Sequence, residues 1–106
     1  MTVGEGSLTY QRQQVVLALA GELDIATANA AHKRLINLVL RRGEELALDL
    51  SRLTFMDSTG IRLVLQARAH ALQRGAAFVV VRGPDAVMRA LELVGLDQQL
   101  DLVDPD

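Results

Sequence analysis

Residues 45–72, ELALDLSRLTFMDSTGIRLVLQARAHAL, decide the fold. In the first part of this stretch the large apolar residues Leu46, Leu48 and Leu50 occupy every second position, which is the period of a β-strand. In the last part the apolar residues are three and four positions apart, which is typical of one face of a helix. They are Ile61, Val64, Leu65, Ala69 and Leu72. The stretch therefore predicts a strand, a short turn and a helix, in that order.

The turn between this strand and this helix is Phe55-Met56-Asp57-Ser58-Thr59-Gly60. Side chains of Asp, Ser and Thr favour helix N-termini, because their oxygens accept hydrogen bonds from backbone N–H groups that have no partner within the helix. We therefore predict that Ser58 lies at or beside the start of the helix, near the positive end of the helix dipole, where a phosphate group is tolerated. Ser58 is then a helix cap, a modification site or both, and Asp57 is a second candidate for the cap.

Other segments have the pattern of strands. Residues 7–12 alternate apolar and polar side chains, and residues 15–20 are wholly apolar, so that a hairpin of a half-exposed and a more buried strand is predicted. Residues 77–81 form a continuous apolar run, which is typical of a strand covered on both faces. Leu100 and Leu102 predict a short last strand.

Two further helices are predicted from the spacing of apolar residues. The first covers about residues 27–42 and has Gly43 at the position of a left-handed C-terminal cap. The last begins at Pro84, since proline is favoured in the first turn, and ends at Gly95. The residues expected to face inward are Ala28, Ala31, Leu35, Leu38 and Val39 in the first of these helices, and Val87, Met88, Leu91 and Val94 in the last.

The order of these elements predicts the fold class. Strands separated by helices need crossover connections and therefore form a sheet that is at least partly parallel, while the opening hairpin adds an antiparallel edge. We predict an α/β fold with a mixed β-sheet of about four to five strands and helices packed mainly on one side. The length of 106 residues is that of one domain, with a core at about residues 8–103.

Composition excludes several classes of protein. The formal net charge of −2 argues against a nucleic-acid partner, which needs a basic surface. No apolar run approaches the roughly 20 residues of a membrane span, and the first residues lack the pattern of a signal peptide. The chain has no cysteine, which fits a reducing compartment. We therefore expect a cytoplasmic protein that contacts neither nucleic acid nor membrane.

The inventory of reactive side chains argues against an enzyme. A hydrolase that used Ser58 would need a base within hydrogen-bond reach, and the only histidines are His32 and His70. His70 lies twelve residues after Ser58, which is about 18 Å along a helix axis. Lys33, the only lysine, lies in a predicted helix rather than at the strand end where a receiver domain requires one. No metal-ligand cluster, P-loop or dinucleotide fingerprint is present, so we expect no catalytic residue, no metal and no cofactor.

Two motifs resemble those of a known family. The run Leu53-Thr54-Phe55-Met56-Asp57-Ser58-Thr59-Gly60, after a strand that ends Leu-Asp-Leu-Ser, resembles the signature of STAS domains. A second landmark of that family is Gly21-Glu22-Leu23-Asp24, followed by Thr27-Ala28. The two motifs stand in the family's order and at about its spacing, and the similarity extends over roughly residues 8–103. The chain is most similar to the stand-alone bacterial anti-sigma factor antagonists.

The resemblance implies a function and a set of site residues. The unphosphorylated protein would bind an anti-sigma factor and free the sigma factor. That anti-sigma factor, an ATP-dependent serine kinase, would phosphorylate Ser58 and end the complex, and a phosphatase would reset it. Thr59 is a back-up phosphorylation site, Asp57 would orient the serine, and Asp24 would lie at the partner-binding edge. The residues expected to bind the partner are Asp24, Asp57, Ser58, Thr59, Gly60 and Arg62.

Two of these residues have more than one interpretation. Gly60 is unfavourable in a helix by about 1 kcal/mol relative to alanine, which predicts a close approach to its backbone, for example by a kinase or partner surface. Arg62 departs from the small residues common at this position in relatives, and it is either a solvated charge or a determinant of which partner is chosen.

A different class of function stays open. A STAS-type sensory module would bind a small ligand or nucleotide without being a kinase substrate, in a pocket lined by aromatic or cationic groups. The presence of only three aromatic residues argues mildly against it. Most family members also carry a further C-terminal helix that is not seen in this sequence, so we expect part of one sheet face to lack that cover.

Overall fold

The computed structural model describes the backbone of residues 6–11 and the whole of residues 13–106. The strands are β1 (Gly6–Gln11), β2 (Gln14–Leu23), β3 (Glu45–Met56), β4 (Ala77–Val81) and β5 (Leu102–Val103). The helices are α1 (Ile25–Ile36), α2 (Ser58–Gln73) and α3 (Asp85–Leu93), followed by a short 3₁₀ helix, Leu96–Gln98. The strand and the helix predicted within residues 45–72 are therefore β3 and α2. Of the predicted turn, residues 55–56 belong to β3 and residues 58–60 to α2, so that only Asp57 lies between the two elements.

The five strands form one mixed sheet. Their order in space is the same as their order in the chain, with β1 antiparallel to β2 and every later neighbour parallel. Leu17 of β2, Leu48 of β3 and Val80 of β4 lie side by side in the register, so β3 is the central strand. The predicted α/β fold with a mixed sheet and an antiparallel opening hairpin is confirmed.

The core lies on one face of this sheet. Leu17, Leu48 and Val80 are completely buried, whereas Val16 and Val79, which point to the opposite face, are only half-buried. Each of the three helices contributes buried side chains to the same apolar cluster, among them Leu35, Val64 and Leu91. The helices therefore cover one face, as predicted, and no helix of the described residues covers the other, which is called the open face below. A shallow depression of about 630 Å³ on that open face is lined by Glu45, Asp49, Arg52 and their neighbours.

The open face corrects the prediction for residues 77–81. A strand covered on both faces was expected, but in β4 only Phe78 and Val80 are buried. The apolar side chains of Val79 and Val81 lie instead in the shallow depression on the uncovered face. In this sheet, a continuous run of apolar residues therefore does not mean that both faces of the strand are covered.

The extent of α1 was also predicted wrongly. The helix ends at Ile36 rather than near Arg42, and residues 37–44 form a loop. Leu38 is buried from this loop, while Val39 is 62% exposed. Gly43 has φ +85° but lies in the turn before β3, where its N–H donates to the carbonyl oxygen of Gly75 at 3.0 Å, so it does not cap the helix. Leu38 is buried although it lies in this loop, and its spacing from Leu35 happens to be that of a helix, so the helix was predicted to be too long.

The inward face of α2 differs from the predicted one. Leu65 and Leu72 are 41% and 60% exposed, and Ala69 is exposed as well. The buried positions are instead Gly60, Leu63, Val64, Ala67, His70 and Ala71. Val64 is buried and Ile61 packs against the core, as predicted, but Leu65, Ala69 and Leu72 were assigned to the wrong side. Gly60, Ala67 and Ala71 are among the buried positions because small residues let the helix approach the sheet closely. Val94, expected to face inward from α3, is likewise 55% exposed and caps the end of that helix.

His70 is the only polar residue among residues 13–106 that is buried. Its Nε2 atom has no hydrogen-bond partner. Burial lowers the pKa of this imidazole, and the nearby Arg74 lowers it further, while a hydrogen bond to the backbone of Leu38 acts in the opposite direction. The fold therefore favours the neutral form of His70.

This arrangement predicts a loss of stability in mild acid. Because the pKa of His70 in the folded state lies below its ordinary value of 6.5, the unfolded chain binds more protons near that pH. The free energy of unfolding should therefore fall as the pH drops through about 6.5. Urea unfolding at pH 7.5 and pH 5.5 should show a larger fall for the wild type than for His70→Leu. Other titrating groups contribute equally to both proteins, so equal falls would show that His70 does not sense pH.

Within the part of the chain that the structure describes, no helix is both long and apolar enough to cross a membrane.

Candidate functional site

Two helix N-termini lie side by side at the carboxyl edge of the sheet. The last residues of β2 and β3, Leu23 and Met56, are partners in the parallel register. Asp24 and Asp57 follow them directly and precede α1 and α2, respectively. The backbone N–H of Asp57 also donates to the carbonyl oxygen of Leu23 at 3.4 Å. The structure thus brings the two sequence motifs, which are more than thirty residues apart, to one edge.

Asp24 has a structural task in this arrangement. Its Oδ1 atom accepts hydrogen bonds from the backbone N–H groups of Ala26 and Thr27 at 3.0 and 3.2 Å. The hydroxyl oxygen of Thr27 in turn accepts from the backbone N–H of Asp24 at 3.1 Å. This reciprocal capping box satisfies donors at the start of α1 that would otherwise lack a partner. Any role of Asp24 in binding comes in addition to this cap.

At the start of α2 the cap is Asp57 and not Ser58. Asp57 has an extended backbone, and its Oδ1 atom accepts from the backbone N–H of Thr59 at 2.9 Å. Ser58 is the first residue of the helix, as predicted, and it is exposed. Its hydroxyl makes no hydrogen bond within the described residues. The serine oxygen is therefore held at a helix N-terminus, open to solvent and not engaged in capping.

Thr59 is less accessible than Ser58. It is half-buried, and it lines a groove between α1 and α2. Its role as a back-up phosphorylation site stays a prediction.

The close approach at Gly60 comes from inside the protein. A β-carbon at this position would overlap Cγ of Met56 and would lie 3.1 Å from Cδ2 of Leu23. The glycine therefore lets the first turn of α2 pack on the ends of β2 and β3. This explains the residue without an external surface, and a role of Gly60 in partner binding rests on the resemblance alone.

Two substitutions can separate the capping role of Asp24 from its predicted role in partner binding. Asparagine caps a helix about as well as aspartate, whereas alanine in place of a cap costs about 0.5–2 kcal/mol. Asp24→Asn should thus melt near the wild type, and Asp24→Ala should lose about 1 kcal/mol of stability in a thermal or urea melt. If the carboxylate also contacts a partner, both variants should bind it more weakly. Wild-type affinity in Asp24→Asn would show that Asp24 acts only as a cap.

The groove between α1 and α2 adds residues that the sequence analysis did not select. It has a volume of about 260 Å³ and begins beside the two caps. Its lining includes His32 from α1 and Arg62 from α2 but no carboxylate among the residues that form it. The complete lining is Ile25, Ala28, Asn29, His32, Thr59, Arg62, Leu63 and Gln66.

Two large apolar side chains are exposed near the caps. Ile25, directly after Asp24, is 79% exposed, and Phe55, two residues before Asp57, is 46% exposed. Ile25 was missed because nothing in its local sequence shows which side of the first turn of α1 meets solvent. Phe55 was assigned to the predicted turn, but it lies in β3, beyond the last residue that pairs with β4, and its exposure depends on that pairing. Single exposed apolar residues are common on protein surfaces, so it is the position of these two beside the caps that makes them candidates for partner contact.

This fold is that of a STAS domain. The family model described as "Mlab, STAS domain" matches residues 7–104, and the chain belongs to this family. Among curated relatives, the anti-sigma-F factor antagonist RsfB of Mycobacterium tuberculosis is 31% identical over 87 residues, which is 82% of this chain and 70% of the relative. The anti-sigma-B factor antagonist of Listeria monocytogenes is 30% identical over 84 residues, or 79% of this chain and 74% of the relative.

Solved structures agree with the fold. An anti-sigma factor antagonist from Mycobacterium paratuberculosis superposes with a TM-score of 0.81 at 26% identity, covering 92% of this chain and 82% of that one. The anti-sigma factor antagonist SpoIIAA in its unphosphorylated form superposes with a TM-score of 0.76 at 22% identity, covering 95% of this chain and 88% of that one, which shows a shared fold.

Proposed function

We propose that this protein is an anti-sigma factor antagonist whose binding is switched by phosphorylation of Ser58. The observation that carries the proposal is the state of the serine: exposed, first in α2, and free of hydrogen bonds within the described residues because Asp57 provides the cap. The names of the relatives, which are anti-sigma factor antagonists, support the choice of partner.

In the proposed cycle the unphosphorylated protein binds an anti-sigma factor and thereby frees a sigma factor. The contact surface would be the edge formed by Asp24, Asp57, Ser58 and Thr59, with Ile25 and Phe55 as apolar contacts. Their exposures of 79% and 46% leave apolar area that a partner can bury. Burial of such area, at roughly 25 cal/mol per Å², is a favourable term in association.

The switch itself is a phosphoryl transfer. The anti-sigma factor, acting as a serine kinase, would bind ATP, and a bond would form between the Ser58 oxygen and the γ-phosphorus. The bond from that phosphorus to ADP breaks, and the hydroxyl proton passes to a base of the kinase or to water. This protein contributes only the acceptor, and a separate phosphatase would hydrolyse the phosphoserine. A phosphate is compatible with the fold because it would sit at a helix N-terminus, where the dipole favours negative charge.

The proposal is tested with the anti-sigma factors encoded by the same organism. Each would be purified as a complex with its sigma factor and mixed with this protein, with and without ATP. We expect one of them to exchange its sigma factor for this protein, and intact-mass and peptide analysis after ATP addition to show one phosphate on Ser58. Failure of every anti-sigma factor of the host to bind this protein would refute the proposal.

The alternative of a ligand-binding module gains no support from the depression on the open sheet face. The depression of about 630 Å³ on the open sheet face is lined by no aromatic residue, and the acidic residues Glu45, Asp49, Asp104 and Asp106 outnumber its single cation, Arg52.

A further inference from the structure

Arg62 lies one helical turn after Ser58. Both residues are in α2, four positions apart, and both are exposed. Side chains at this spacing lie on the same helix face with their β-carbons about 5–6 Å apart. Long side chains in a helix also point back towards its N-terminus, which directs the guanidinium of Arg62 over the first turn. The cation can therefore reach a group attached to the Ser58 oxygen.

Arg62 is not engaged elsewhere in the described part of the chain, where it makes neither an ion pair nor a side-chain hydrogen bond. It borders the groove between α1 and α2, whose other ionisable lining residue is His32. In the unphosphorylated protein this guanidinium is thus available to an acidic group of a partner.

We propose that a phosphate on Ser58 pairs with Arg62 in the same helix, so that phosphorylation withdraws this cation from the partner-binding groove while it adds negative charge. The inference rests on the proposed function, since it assumes that Ser58 is phosphorylated. Guanidinium and phosphate form paired, charge-assisted hydrogen bonds. The order of the two charges is also the favourable one for a helix, with the anion four residues before the cation.

The proposal gives Arg62 two states with opposite consequences for binding. Without the phosphate, Arg62 contributes to association by pairing with a carboxylate of the partner. With the phosphate, that carboxylate is repelled by the added negative charge and also loses its pairing with Arg62. The penalty of phosphorylation should therefore be smaller in a variant that lacks the cation from the start.

The pairing can be tested without any partner. Phosphoserine is encoded at position 58 by codon suppression, and its phosphorus resonance is titrated by ³¹P NMR in the wild type, in Arg62→Gln and in Arg68→Gln. Arg68 is a matched control, because it is on the same helix but ten residues from the phosphate. The second ionisation of a phosphoserine has a pKa near 6, and a paired cation favours the dianion. The wild type and Arg68→Gln should then titrate at a pH about 0.5 lower than Arg62→Gln.

A second measurement uses the same proteins. Arg62→Gln should lower the melting temperature of the phosphorylated form and leave that of the unphosphorylated form unchanged. Asp24, Asp57 and His32, which are the other ionisable groups described at this edge, are present in every protein compared, so their contributions cancel. Identical phosphate titrations in the wild type and Arg62→Gln would overturn the pairing, but they would leave the proposed function standing. Conversely, failure to bind any anti-sigma factor would refute that function without altering the titration.

Discussion

Ser58→Asp is expected to bind the anti-sigma factor poorly, and Ser58→Ala is expected to bind it constitutively and to resist phosphorylation. On the proposed function, the partner surface is complementary to a neutral hydroxyl beside Asp57, and a carboxylate at position 58 would add a negative charge that no group of the partner pairs with. Such a charge in an interface commonly costs about 2–5 kcal/mol, which is roughly 30- to several-thousand-fold in affinity. Titration calorimetry of the wild type and the two variants against the anti-sigma factor measures this difference directly.

The fold should tolerate both substitutions of Ser58. Ser58 is exposed and does not cap the helix, and a negative charge in the first turn of α2 interacts favourably with its dipole. Both variants should therefore melt near the wild type. Ala69→Asp is a matched control, because it adds the same charge at an exposed position of α2 that is outside the groove. Equal affinities of the alanine and aspartate variants would show that charge at Ser58 does not control partner binding.

The parts of the structure that were predictable from sequence depend on local signals. Alternation of Leu46, Leu48 and Leu50 defines which side of β3 is buried, and that assignment holds in the structure. The start of α2 is marked by residues that favour helix N-termini whatever surrounds them. For this reason the position of Ser58 was predicted correctly before any tertiary contact was known.

The choice between Asp57 and Ser58 as the cap was not available from sequence. Both side chains are good caps, and the outcome depends on which residue has the extended backbone. Here Asp57 does, with φ −113° and ψ −164°. This single difference leaves the serine hydroxyl without a hydrogen bond within the described residues.

Features that depend on packing were the ones predicted wrongly or missed. The inward face of α2 is set by how closely the helix approaches the sheet, which favours Ala67 and Ala71 over Leu65 and Leu72. The juxtaposition of Asp24 with Asp57 requires the parallel pairing of β2 with β3. The groove between α1 and α2 exists only because two helices that are separate in sequence lie together.

The second large effect is expected at the centre of the sheet. Leu48 is completely buried in the central strand, between Leu17 and Val80. Leu48→Asp removes an apolar contact typically worth about 2–5 kcal/mol and adds a carboxylate that has no cationic partner in the apolar cluster around it. Because the free energy of unfolding of a domain is only about 5–15 kcal/mol, this variant should be largely unfolded at 25 °C. Far-UV circular dichroism and a urea titration would show it.

Val79→Asp provides the matched control, since it places the same charge on a neighbouring strand of the same sheet. Val79 is half-buried on the open face, where its partner in the register is Ala47, and a carboxylate there keeps contact with water. Its loss of stability should be limited to about 1 kcal/mol, from lower strand propensity and lost packing. The difference in stability between the two variants measures the asymmetry of the sheet, on which all helices of the described part of the chain pack against one face. A wild-type melt for Leu48→Asp would show that β3 is not the core strand, and equal unfolding of both variants would show that the second face is covered after all.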